Sequence, residues 1–162
     1  MKCVETSSYS FSPSRCGGRG EPNETERGAT EPMGSNQLRV LVVDDEPSIC
    51  KAMSIALSRA GYDARSAQSG EAALSIVRSE HVDLMLIDLR IPDMRGDVIF
   101  EVAAGHQPHL RYRTLFMTGD ITERAQKLIA ACRCPYIPKP FDLRLLIDAI
   151  NGLAPRVHDQ SA

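Results

Sequence analysis

Four short apolar runs each end in polar residues of a different kind. Val40-Leu41-Val42-Val43 runs into Asp44-Asp45, and Leu84-Met85-Leu86-Ile87 runs into Asp88. Thr114-Leu115-Phe116-Met117 leads to Thr118, and Tyr136-Ile137-Pro138 leads to Lys139-Pro140. Buried parallel strands read as continuous apolar runs, and α/β proteins carry their chemistry at the carboxyl ends of such strands. Three carboxylates, a hydroxyl and an ammonium then meet along one sheet edge. Clustered carboxylates repel one another unless a cation intervenes, and an ammonium with a hydroxyl suits a phosphoryl group. The set therefore points to a site for a divalent cation and a phosphoryl group.

An alternation of strands and helices must put those residues together. Residues 38–43 read as strand one. Pro47 suits a first helical turn, after which Ile49, Met53, Ala56, Leu57 and Ala60 recur at helical spacing, and Gly61 ends the run. Residues 62–67 form a weaker, more polar strand that reads as an edge. Ser69 is placed to cap a helix running to residue 80, with Ala73, Ile76 and Val77 inward. Residues 82–87 read as a central third strand, and 97–105 as a short helix carrying Val98, Ile99 and Val102. Residues 113–117 read as strand four. Asp120-x-x-Glu123 has capping-box character and opens a helix with Ala125, Leu128 and Ile129. Residues 134–137 read as strand five, and Asp142 caps a last helix with Leu146, Ala149, Ile150 and Leu153 inward. Five β-α units imply an α/β fold: a doubly wound, five-stranded parallel sheet of order 2-1-3-4-5, flavodoxin-like, with helices on both faces. Asp44, Asp45 and Asp88 then fall at the switch point of the sheet. No G-x-G-x-x-G or G-x-x-x-x-G-K-[ST] follows strand one, which argues against dinucleotide and P-loop sites.

Bulk properties narrow the partners and the compartment. A formal net charge of -2 over 162 residues gives no bulk case for nucleic acid or an anionic membrane. No apolar stretch approaches the roughly 18 residues that span a bilayer. Residues 1–30 lack the apolar core of a secretory signal. Five cysteines without framework spacing favour a reduced, cytoplasmic setting. Cys132 and Cys134 form a C-x-C pair without a partner pair at zinc spacing, so they read as core and loop thiols. His81, His106, His109 and His158 read as surface residues. Residues 1–37 hold only Val4 and Phe11 from the Leu/Ile/Val/Phe set and read as a disordered tail, with Met33 a possible true start. Residues 155–162 read as a short C-terminal tail.

The motifs V-V-D-D-E-P at 42–47, D-L-R-I-P-D-M-R-G at 88–96, F-M-T-G-D at 116–120 and Y-I-P-K-P-F at 136–141 resemble the receiver domain of two-component response regulators. The resemblance spans residues 38–154. It implies that Asp88 is the phosphoacceptor and that Asp44 and Asp45 organise Mg²⁺. Asp45 and Asp88 would ligate the ion with the backbone carbonyl of Arg90. It also implies that Thr118 is the switch hydroxyl, Tyr136 the aromatic switch residue, and Lys139 the phosphoryl-binding lysine before a cis proline. Pro92 and Gly96 match the turn after the phosphoacceptor. The Arg90 side chain is either solvated or leans over the phosphoryl group to alter its hydrolysis. Ala131-Cys132-Arg133-Cys134 departs from the small pair common before strand five, and residues 112–114 open strand four with more polarity than is usual.

The implied function is a phosphorylation-dependent switch, not a turnover enzyme. A sensor histidine kinase or histidine phosphotransfer protein would donate the phosphoryl group. The output would be altered affinity for a downstream protein through the helix 4–strand 5–helix 5 surface. After Leu153 too little chain remains for an output domain, so a stand-alone receiver is expected, monomeric or dimerising on phosphorylation. No direct contact with nucleic acid and no membrane insertion are expected. Two alternatives remain: an aspartate-nucleophile phosphatase of similar fold, and a receiver-like interaction module independent of phosphorylation. Such phosphatases usually carry a second acid two residues past the nucleophile; here Pro47 and Arg90 stand at those places.

Overall fold

The computed structural model describes residues 37–120 and 122–154. The expectations for the N-terminal tail, Met33, His158 and residues 155–162 lie outside them. Five strands form one parallel sheet of order β2-β1-β3-β4-β5: β1 (Arg39–Val43), β2 (Asp63–Ala67), β3 (Leu84–Asp88), β4 (Thr114–Thr118) and β5 (Tyr136–Pro138). Between and after them run α1 (Pro47–Arg59), α2 (Gly70–Ser79), α3 (Gly96–His106), α4 (Glu123–Cys132) and α5 (Leu143–Leu153). Among the described residues no helix is long and apolar enough to cross a membrane.

The central strands β1, β3 and β4 are buried on both faces, which their unbroken apolar runs require. Side chains alternate between two cores. Val40, Val42, Leu84, Leu86, Leu115 and Met117 pack against Cys50, Met53 and Leu57 of α1 and Leu146 and Ile150 of α5. Leu41, Val43, Met85, Ile87 and Phe116 face Ala73, Leu74 and Val77 of α2, Ile99 and Phe100 of α3, and Ile129 of α4. Each such fully buried aliphatic side chain contributes about 1.5–3 kcal/mol. Phe100 meets Phe116 edge to face at 5.9 Å between ring centroids, an arrangement that ring quadrupoles favour.

Helix ends follow local chemistry. Pro47 opens α1, and Gly61 ends it at φ 90°, a conformation closed to most side chains. Ser69 caps α2 by accepting from the Ala72 amide, and Asp142 caps α5 by accepting from Arg144. The end of α4, which departs from the family pattern, puts Arg133 in the left-handed region at φ 55°. A non-glycine residue there costs roughly 1 kcal/mol.

Several local expectations need correction. Asp120 does not cap α4. Thr122 does so, accepting from the Ala125 amide, while Asp120 is held by Arg90 and the Thr122 amide. On α3, Ile99 and Phe100 are buried, and Val98 is 41% exposed. In α2, Leu74 joins Ala73 and Val77 as a buried side chain, and Ile76 packs half-buried against the same core. A 3-10 helix at Pro108–Tyr112, too short to show a period, precedes β4. His109 is half-buried, with a ring nitrogen 2.7 Å from the Val82 carbonyl.

Candidate functional site

Strand register brings the polar strand ends together. Val43 pairs with Ile87, so Asp44 and Asp88 follow each other across the β1–β3 boundary. Asp88 pairs with Met117, and Thr118 with Pro138, which places Thr118 and Lys139 on the same edge. Residues as far as 95 apart in sequence thus meet in one crevice.

Ligand oxygens of Asp44, Asp45 and Asp88 all lie within 4.8 Å of one another. Asp44 is fully buried and Asp88 is 8% exposed, whereas Asp45 faces solvent. The Lys139 ammonium bridges the two buried carboxylates, 2.6 Å from Asp44 Oδ2 and 2.5 Å from Asp88 Oδ2. Their other oxygens accept backbone donors: Asp44 Oδ1 from the Glu46 amide at 3.0 Å, and Asp88 Oδ1 from the Arg90 amide at 2.9 Å. Asp45 has no such partner among the described residues. Partial burial pulls the Lys139 pKa down. Hydrogen bonds and charge from Asp44 and Asp88 outweigh it, so the pKa lies above the ordinary lysine value.

The backbone builds this crevice closely. Gly96 packs on the Asp88 carbonyl, where a Cβ would come within 2.3 Å of the oxygen, so glycine is required. Its amide donates to Leu89 O at 3.0 Å and closes the turn after β3. Asp93 ties the same loop to α2, accepting from the Gly70 amide at 3.0 Å and the Glu71 amide at 3.1 Å. Those two amides hold the Asp93 carboxyl below its usual pKa. Under Asp44, the Cys50 thiol donates to its carbonyl at 3.2 Å, and burial pushes that thiol up. Lys139 donates its amide to Thr118 O at 2.8 Å and precedes a cis proline, as the resemblance implies.

Thr118 is 1% exposed, and its hydroxyl accepts from the Asp120 amide at 3.0 Å. Asp120 in turn receives Arg90 Nε at 2.9 Å and Nη2 at 2.7 Å on Oδ2, and the Thr122 amide on Oδ1. Hydrogen bonds from Thr122, then Arg90, hold its carboxyl down to about 2. The Arg90 side chain is 74% exposed and spans to the β4–α4 loop through Asp120. Composition and spacing gave no sign of this pairing or of the Asp93 staple. The Tyr136 ring is on the outer surface, 47% exposed. Cys50, Cys132 and Cys134 are free thiols; burial pushes Cys134 up to about 12.

An oxygen-only donor set with one unpartnered, solvent-facing carboxylate fits a hard dication such as Mg²⁺ better than a soft metal. The crevice therefore brings together a shielded carboxylate, a fixed ammonium and a place for a cation. Chemically, that combination can support in-line phosphoryl transfer to a carboxylate.

Comparison with known proteins gives the same picture. The family model for the response regulator receiver domain matches residues 40–151. Regulatory protein AtoC of Escherichia coli is 32% identical over 121 residues, covering 73% of this chain and 24% of that protein. The probable transcriptional regulator ycf27 of Porphyridium aerugineum is 33% identical, covering 76% and 51%. The chain thus spans a quarter to about half the length of these relatives. A CheY-like response regulator receiver domain protein from Methanospirillum hungatei superposes with a TM-score of 0.67 at 26% identity, covering 72% of this chain and 92% of that one. Response regulator protein TrrA from Thermotoga maritima, solved in complex with Mg(2+)-BeF, gives 0.64 at 26% identity, covering 72% and 99%.

Proposed function

The chain belongs to the response regulator receiver domain family, and we propose that Asp88 is its phosphoacceptor in a switch that modifies itself. Membership brings phosphorylation-dependent signalling in two-component systems and Mg²⁺ binding through acidic residues. The observation that carries the residue assignment is the pairing at the crevice. Lys139 bridges two buried carboxylates while Asp45 stays open beside them.

Asp88 attacks phosphorus with a carboxylate oxygen. An acyl phosphate bond forms, and the bond from phosphorus to the donor's imidazole nitrogen breaks, leaving the electron pair on that nitrogen. Asp45 and Asp88, with the Arg90 carbonyl, would hold Mg²⁺, and Asp44 would assist through water. Bound there, the ion would supply positive charge to offset that of the phosphoryl oxygens. Lys139 moves its ammonium from Asp88 Oδ2 to a phosphoryl oxygen, a short displacement for a flexible side chain. Thr118 turns its hydroxyl hydrogen from the Asp120 carbonyl to a phosphoryl oxygen, and Tyr136 turns inward from its exposed position. The α4–β5–α5 surface, where Leu145 is 64% exposed, then presents a different face to a downstream protein.

The donor has a place to sit. A groove of about 480 Å³ between α1 and the β5–α5 loop is lined by Ile49, Met53, Pro140, Phe141 and Leu143 and opens beside Lys139. An apolar seat there would bring a helix-borne phosphohistidine, from a sensor kinase or phosphotransfer protein, within reach of Asp88.

Beryllofluoride with Mg²⁺ tests the switch by amide NMR. Shifts at Asp88, Thr118, Asp120 and Tyr136 are expected, and in Thr118→Ala those at Tyr136 vanish while those at Asp88 remain. Unchanged Tyr136 shifts in Thr118→Ala would contradict the coupling.

A further inference from the structure

A second groove, of about 430 Å³, lies away from the α1 seat, between the loop after β3 and the start of α4. Its floor is aliphatic: Leu89, Ile91, Pro92, Ala125 and Leu128. Arg90, Arg95 and Arg124 stand at its rim with a single carboxylate, Asp120. Arg90 is tied to Asp120 and Arg95 to Asp97, each through Nε and Nη2, so their Nη1 donors stay unused.

Arg124 differs from both. Its side chain has no hydrogen bond or ion pair among the described residues, and it is exposed at the second position of α4, where the positive end of the helix dipole disfavours a cation. The one acidic side chain of that turn, Glu123, pairs with Lys127 instead, so the Arg124 charge is open to an anionic partner. The groove thus offers aliphatic surface ringed by guanidinium groups with free donors.

We infer that this groove docks an acidic, leucine-rich helical segment of a partner protein. Leucines would fill the aliphatic floor at helical spacing, and glutamates between them would meet Arg124 and the free faces of Arg90 and Arg95. A nucleotide fits the chemistry less well, since no aromatic ring lines the groove to stack a base. Both walls belong to segments that carry phosphorylation chemistry: the loop after Asp88 and the loop after Thr118. An occupant there and a phosphoryl group on Asp88 would alter each other's affinity by the same factor.

The test uses the full chain and a fluorescent helical peptide with leucines at i and i+4 and glutamates between them. Saturable anisotropy binding is expected. A peptide with lysine for glutamate should bind at least about tenfold more weakly, as should the acidic peptide to Arg124→Glu. Lys127→Glu, on the same helix but outside the groove, should leave affinity within about twofold. Exposed Arg124 tolerates substitution, and an unchanged thermal melt of Arg124→Glu separates loss of the groove from loss of the fold. Equal binding to Arg124→Glu, equal binding by the lysine peptide, or no saturation by about 1 mM would overturn the inference. So would displacement of the peptide by inorganic tripolyphosphate at equal concentration, because charge alone would then fill the groove.

Discussion

The two ends of the sheet are both rich in charge and treat it in opposite ways. At the amino ends, Arg39 and Arg65 alternate with Asp63 and Glu80 in a closed ring. Arg39 lies 2.8 Å from Asp63 and 3.1 Å from Glu80, and Arg65 lies 3.2 Å from each. Signs balance there, and the side chains stay about a third exposed, so the ring ties β1, β2 and the end of α2 together at little desolvation cost. At the carboxyl ends, three carboxylates face one ammonium, and two of those carboxylates are nearly sealed from water. An unbalanced, buried cluster is a poor way to stabilise a fold and a good way to hold a cation and an anion in turn. The difference separates charge that serves structure from charge that serves chemistry.

That contrast can be broken by substitution. Asp45→Ala should lower Mg²⁺ affinity by more than about 100-fold, beyond the loss of an outer-shell partner, when followed by titration calorimetry. The same change should slightly raise the melting temperature without metal, because it relieves carboxylate repulsion. A lower melting temperature would mean that Asp45 is structural. Lys139→Met should cost about 2–3 kcal/mol in urea unfolding without Mg²⁺, since it strands two carboxylates in a largely buried site.

The pH dependence sharpens the comparison. The raised Lys139 pKa means that its stabilisation is whole below the ordinary lysine value of 10.5 and is lost as pH climbs through the higher folded value. Asp120 acts at the other limit. Its contribution is whole above the ordinary 3.8 and is lost as pH falls toward about 2. Arg90→Ala should make the acid limb of a melting profile begin at higher pH, whereas an unchanged limb would show that Thr122 alone holds Asp120. Arg65→Ala, in the balanced ring, should cost no more than about 1 kcal/mol, and less at high salt.

Much of this architecture was legible in the chain. The apolar runs ending at Asp44, Asp88, Thr118 and Lys139 carry period and placement together, and the sheet order followed from the alternation of strands and helices. Contacts between loops far apart in sequence left no such trace. Asp93 reaches the amides of Gly70 and Glu71 across 22 to 23 residues, and Arg90 reaches Asp120 across 30. Neither has a periodic signature. Asp120 looked like a cap because its type and spacing fit one, but the arginine and the Thr122 amide compete for its oxygens and leave the cap to Thr122.

The central claim is that the crevice puts a covalent phosphoryl group on Asp88. Intact-mass spectrometry after incubation with Mg²⁺ and acetyl phosphate tests it most directly. The account predicts one alkali-labile phosphoryl adduct on the wild-type chain and none on Asp88→Asn; persistence of the adduct on that variant would contradict it.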